Sequence, residues 1–135
     1  MVKKKSSITV LLIVLGLITS CGSSSSKEVK DIMLDMDDNN SQIELAKGQI
    51  LVISLEAQPS TGYTWEVAEL NELILQQQGE PEFQPTSDGI GASGVLIFRF
   101  EAISTGETNL KLIYHQPWVE DVEPIETFFI QVIVY

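Results

Sequence analysis

Val95-Leu96-Ile97-Phe98-Arg99-Phe100-Glu101-Ala102-Ile103 alternates with a period of two. Leu96, Phe98 and Phe100 fall on one face, and Arg99 and Glu101 on the other. That is the pattern of a strand with one face in a core and one toward water. The residues just before it sharpen the reading. Gly89-Ile90-Gly91-Ala92-Ser93-Gly94 matches G-x-G-x-x-G, which cradles a dinucleotide pyrophosphate when a strand precedes it and a helix follows. Here a Pro-containing loop precedes it and a period-two run follows, so nucleotide binding is rejected. A glycine-rich entry into a strand offers instead bare backbone that another protein can approach closely.

Working outward, the same alternation recurs. Thr108 to Tyr114 sets Leu110 and Leu112 against Asn109 and Lys111, and Thr127 to Tyr135 sets Phe128, Ile130, Val132 and Val134 against Gln131. Gln49 to Ala57, rich in Ile, Val and Leu, reads as a buried strand, and Tyr63 to Val67 as the next. Val29 to Met36 and Gln42 to Leu45 form two short strands about an acidic turn. Asp35 to Asn40 opens like a calcium loop, but Asn40 replaces the turn glycine and Ala46 the closing glutamate, so no calcium site is expected. Asn71 to Gln78 is a strand or a helical turn, with strand preferred. Glu80 to Asp88, carrying Pro81 and Pro85, reads as a loop crossing between sheets. No segment holds a 3.6-residue period. About seven or eight short strands predict an all-β, immunoglobulin-like β-sandwich of antiparallel strands, held by its aliphatic and phenylalanine core without a disulfide.

The N-terminus bounds the setting. Lys3-Lys4-Lys5, an apolar run from Ile8 to Ile18 and the small residues before Cys21 form a signal peptide, too short for a permanent membrane span. The placing of Cys21, the chain's one cysteine, resembles a bacterial lipobox. That resemblance implies cleavage before Cys21, lipidation of its sulfur, and a membrane-anchored lipoprotein outside the cytoplasm, at the cell surface or in the periplasm. Gly22 in place of Asp after the cysteine suggests outer-membrane sorting where two membranes exist. Gly22 to Ser26 is a flexible leash. The expected division is residues 1–20 as signal, 21–28 as lipidated cysteine and tether, and 29–135 as one folded domain.

The whole chain carries a formal charge of −11. Loss of Lys3, Lys4 and Lys5 leaves five basic residues against nineteen acidic ones, a charge of −14. Nucleic acid is an improbable partner for such a surface; solubility, or steering toward a basic partner, suits it better. With the cysteine lipidated and His115 the single histidine, the usual thiolate and His-pair metal sites have no ligands, and no metal or cofactor is expected.

Two further stretches complete the candidate site. Gln58-Pro59-Ser60-Thr61-Gly62-Tyr63-Thr64-Trp65 is a compact turn between strands: Pro59 fixes φ, Gly62 permits φ > 0, and Tyr63 and Trp65 share a face. Tyr114-His115-Gln116-Pro117-Trp118 ends a strand with an aromatic that either caps the core or anchors an interface. With the glycine-rich stretch, these resemble the three loops of the chagasin family of papain-like cysteine protease inhibitors. That family carries Asn-Pro-Thr-Thr-Gly-Tyr/Phe-x-Trp, a Gly-rich loop and Arg-Pro-Trp in the same order, and the resemblance covers roughly residues 41–135.

The resemblance implies that three loops at one end of the sandwich enter the protease cleft. Pro59, Ser60, Thr61 and Gly62 would sit at the catalytic pair, flanked by Gln58 and Tyr63. Gly89, Gly91 and Gly94 would run along one wall, and Gln116, Pro117 and Trp118 along the other. Inhibition would be reversible occlusion by a monomer, with a papain-like cysteine protease as partner and the membrane reached through Cys21. Gln58 replaces the family's Asn, Ser60 its first Thr, and Gln116 its Arg, the last removing a positive charge. Two rival readings are a Ser60–His115–Asp121 hydrolase, which lacks a nucleophile elbow and oxyanion hole, and a tethered adhesion or assembly module using the same loops on a non-protease partner.

Overall fold

The computed structural model describes residues 28–135, together with Gly16 and Gly22. Those two glycines apart, the expected signal peptide, Cys21 and the serine leash lie outside the described residues. Among the described residues nine strands occur: β1 Ile32–Leu34, β2 Ser41–Leu45, β3 Ile50–Ala57, β4 Thr64–Glu69, β5 Leu75–Gln77, β6 Glu82–Pro85, β7 Gly94–Ala102, β8 Gly106–His115 and β9 Glu126–Val134. One sheet runs β1-β3-β7-β5, with β6 also on β7; the other runs β2-β9-β8-β4.

The two sheets enclose a core made by the alternating residues. Leu51, Ile53 and Leu55 of β3, Phe98 and Phe100 of β7, Leu110 and Leu112 of β8, and Phe128, Ile130 and Val132 of β9 are buried. Each such side chain contributes roughly 1.5–3 kcal/mol on burial, which is how a sandwich without a disulfide is held. Thr108, the one buried polar residue among the described residues, accepts from Asn71 N–H at 3.1 Å and donates to the Asn109 carbonyl at 3.1 Å, so its hydroxyl is satisfied.

Three expectations are corrected. The sheets are mixed, since β1 pairs parallel with β3 and β2 parallel with β9. The first stretch is split by a 3-10 turn at Met36–Asp38, closed by a reciprocal cap in which Asp35 Oδ1 accepts from Asp37 N–H and Asp38 Oδ2 from Asp35 N–H. The chain thereby changes sheets, and each half covers a different exposed edge.

Secondly, Glu80 to Asp88 is not a crossing. It contains β6, which pairs with Gly94–Ile97 of β7 beside β5 on the same sheet. Between the partners Gln77–Phe100 and Glu82–Ile97, residues 78–81 face only residues 98 and 99, so β5 and β6 form one edge strand broken by a bulge. Pro81 and Pro85 are tolerated because an edge strand does not need every N–H. Thirdly, the crossing itself is at residues 70–74. There Asn71 Oδ1 accepts from Leu73 N–H at 3.1 Å and the Asn71 carbonyl from Ile74 N–H at 3.1 Å, so the segment is a turn that becomes strand at Leu75.

The register sets up the site. Ala57, the last residue of β3, pairs with Gly94, the first of β7, and Thr64 of β4 pairs with His115, the last of β8. Three separate connections therefore leave the sandwich at one pole. Because β1 is parallel to β3, the chain enters at the opposite pole, where the Lys30 carbonyl accepts from Gln49 Nε2 at 2.7 Å.

Candidate functional site

The central loop is closed on itself. Pro59–Thr61 forms a 3-10 turn and Gly62 continues it at φ 80°, a left-handed conformation that glycine takes without strain. The Gln58 carbonyl accepts from both Thr61 N–H (3.1 Å) and Thr61 Oγ1 (2.6 Å), and the Pro59 carbonyl from Gly62 N–H (3.0 Å). Beneath it lies an aromatic stack: Tyr114 sits 5.0 Å from Trp65 and 5.5 Å from Tyr63 between ring centroids. Tyr114 Oη accepts from Gln58 N–H at 3.2 Å, and Trp65 Nε1 donates to the Glu56 carbonyl at 2.9 Å. Tyr63 and Trp65 do share a face, and what they do there is support the loop from below.

The third loop packs on the central one, and the glycine-rich loop lies alongside it. Trp118 lies across Gly62 so closely that a Cβ on Gly62 would collide with the indole. Gln116 Nε2 donates to the Thr61 carbonyl at 3.2 Å, tying the third loop to the first. On the other side, a Cβ added to Gly91 would stand 3.7 Å from Ser60 Cβ and Oγ, an ordinary contact. Pro59, Ser60, Phe83, Gly89, Gly91 and Ala92 line a shallow groove between these two loops. The result is a continuous edge with Ser60 and Thr61 at its middle.

Exposure sorts the expected residues. Gln58, Pro59, Ser60, Thr61, Gly89, Gly91, Pro117 and Trp118 are exposed, and Gly62, Tyr63 and Gln116 are partly so. Trp118 is 67% exposed, which rules out its reading as a core cap. Gly94 differs: it is buried, paired with both Ala57 and Pro85, and a Cβ there would strike the Gln84 carbonyl and the Phe83 ring. Its absent side chain lets β6 close on β7, so it shapes the base of its loop and is not on the edge. Four exposed apolar residues of these loops were not singled out from sequence: Ile90 at the tip of the second loop, and Val119, Val122 and Ile125 beyond Trp118. Loops carry no hydrophobic period that would mark them.

The constellation does not suit nucleophilic catalysis. His115 Nε2 lies 2.7 Å from Glu66 Oε2, across β4 and β8, so that nitrogen already has a partner on its own sheet. Asp121 stands on an exposed loop at φ 58°.

Comparison with known proteins agrees with this geometry. Residues 44–132 match the family model described as the chagasin family peptidase inhibitor I42. Amoebiasin-1 of Entamoeba histolytica is 32% identical over 100 residues, spanning 73% of this chain and 95% of that protein. The crystal structure of the cysteine protease inhibitor EhICP2, also from Entamoeba histolytica, superposes with a TM-score of 0.69 at 20% identity, covering 77% of this chain and 95% of that one. PbICP-C, solved in complex with falcipain-2, has the same fold with a TM-score of 0.55 at 15% identity, covering 79% and 94%. The chain belongs to the chagasin family: it is a cysteine protease inhibitor and not an enzyme.

Proposed function

We propose that the three-loop edge fills the cleft of a papain-like cysteine protease, with Pro59 to Gly62 at the catalytic cysteine–histidine pair. The observation that carries this is the seating of Trp118 on Gly62 and the Gln116–Thr61 hydrogen bond, with Gly91 beside Ser60 across a shallow groove, which sets the three loops side by side on one edge. A substrate must lie extended, with its scissile carbonyl free to meet the nucleophile at the right angle. In the central loop the Gln58, Pro59 and Thr61 carbonyls are already engaged, and the turn cannot extend without breaking those bonds. Occlusion without cleavage follows. Gly89 and Gly91 would run along one wall by their backbone, and Pro117 and Trp118 would pack on the other. Bonds already made in the free protein lower the ordering cost of an interface near ~1,600 Å².

The anchoring at Cys21 and the location outside the cytoplasm belong to the same proposal. The support is the lipobox-like sequence together with the entry of the chain at the pole away from the loops. Residues 21–30 could reach roughly 30 Å when extended. A domain so tethered presents its inhibitory edge away from the membrane, as a monomer needing no second copy. Fatty-acid labelling of the wild-type protein but not of Cys21→Ser is the expected result in cells; equal labelling of both removes the anchor.

The inhibitory reading is tested by titrating papain with a folded fragment of residues 27–135 and following hydrolysis of a small peptide substrate. Competitive loss of activity, with the fragment recovered intact, is expected. Progressive cleavage of the fragment, or no inhibition of papain or its relatives, would overturn occlusion and favour the adhesion or assembly role.

A further inference from the structure

The third loop does not end at Trp118. Val119 and Val122 are 37% and 65% exposed, and with Tyr63, His115 and Gln116 they line one hollow beside the central loop. The segment is ordered at both ends: Val119 N–H donates to the Gln116 carbonyl at 3.1 Å, and Ile125 N–H to the Tyr114 carbonyl at 3.0 Å. Trp118, Val119 and Val122 thus place three partly to largely exposed apolar side chains, an apolar strip, in one short segment beside the central loop. Exposed apolar groups held in a fixed arrangement beside a binding edge mark a contact surface.

The carboxylates of this segment are its ionised side chains. Glu120, Asp121 and Glu123 are all exposed, and residues 112–135 contain no lysine or arginine. Among the described residues Arg99 pairs with Glu82 and His115 Nε2 contacts Glu66, and neither interaction involves these three carboxylates. The Gln116 that precedes the strip is neutral, and its amide is turned inward to the Thr61 carbonyl. The flank of the wedge is therefore apolar and negative.

We propose that Trp118 to Glu123 is a specificity surface, selecting papain-like proteases whose cleft wall on that side is apolar and bordered by lysine or arginine. This rests on the inhibitory reading above and adds the chemistry of the preferred target. The apolar strip holds the complex once formed, and the carboxylates steer its approach; rim charges act mainly on association rate and its salt dependence.

The test uses two papain-like proteases, one net positive and one net negative at the assay pH, with association and dissociation rates followed at about 20 mM and 500 mM salt. The variant E120Q/D121N/E123Q keeps shape and hydrogen-bonding groups, and asparagine accepts the left-handed backbone at position 121. It is expected to associate with the positive enzyme about 10-fold more slowly than wild type at low salt, with the difference gone at high salt. The negative enzyme should gain or change little. V119S/V122S should raise dissociation from the positive enzyme about 5-fold at either salt. Equal effects of the charge variant on both enzymes, or salt profiles unchanged from wild type, would overturn the proposal. Failure of the wild-type protein to inhibit either enzyme would instead bring down the inhibitory reading, and this inference with it.

Discussion

The two loops that flank Gln58 to Gly62 are held in different ways. The Trp118 loop is locked to the centre by the Gln116–Thr61 hydrogen bond and by an indole packed directly on Gly62. The glycine-rich loop lies beside the centre across a shallow groove lined by Ser60 and Gly91, and its own bonds, Thr86 N–H and Oγ1 to the Ser93 carbonyl and Ala92 N–H to the Gly89 carbonyl, stay within it. One flank is a fixed anchor. The other is backbone that can settle against a surface. A wedge with one rigid and one adaptable side keeps its central turn in register while fitting clefts of differing width.

The sharpest way to break this contrast is Gly62→Ala. The new methyl both strains a left-handed residue, at about 1–2 kcal/mol, and drives Trp118 from its seat. With the lost aromatic contact added, the inhibition constant for papain should rise about 100-fold. If inhibition is unchanged, the central turn and Trp118 do not act as one unit. Next in size is Trp118→Ala, which should cost about 2 kcal/mol of binding, read as a change in dissociation rate. Wild-type affinity in that variant removes the anchor.

Gly94→Ala separates site from scaffold. Its methyl would meet the Gln84 backbone, so about 1–3 kcal/mol should be lost from folding, seen in denaturant unfolding. Inhibition by the molecules that remain folded should fall much less than in Gly62→Ala. Gln116→Ala deletes one neutral hydrogen bond and should weaken inhibition by about 1 kcal/mol. The smallest effect belongs to Ile90→Ala. If the glycine-rich flank works through its backbone, removing this fully exposed side chain should change affinity by less than about 3-fold. A loss above about 10-fold would make Ile90 a second side-chain anchor and end the asymmetry.

Much of this was legible beforehand, for reasons that can be named. A half-buried strand writes its burial into a period of two, so β7, β8 and β9 were placed with their inward faces correct at Phe98, Leu112 and Ile130. Turn chemistry did the same for Pro59 and Gly62. Edge strands left a weaker mark. β6 carries two nearby prolines and reads as loop, yet pairs along one side with β7. The parallel pairings of β1 and β2 depend on which edges are still open once the rest has folded, and no local pattern encodes that.

By itself the sequence determined the class of fold, the order of three loop motifs and the family they resemble, because periodicity and turn residues act locally. Only the tertiary structure decided which residues meet. Strand register brings Ser60 to Gly91 and Trp118 to Gly62. It also buries Trp65 under the site while leaving Trp118 outside, and turns Gly94 from a candidate contact into a packing requirement. The physical reason is common to all three: contacts between residues distant in the chain follow from how sheets align and pack, and side chains of one chemical type are sorted there by position alone.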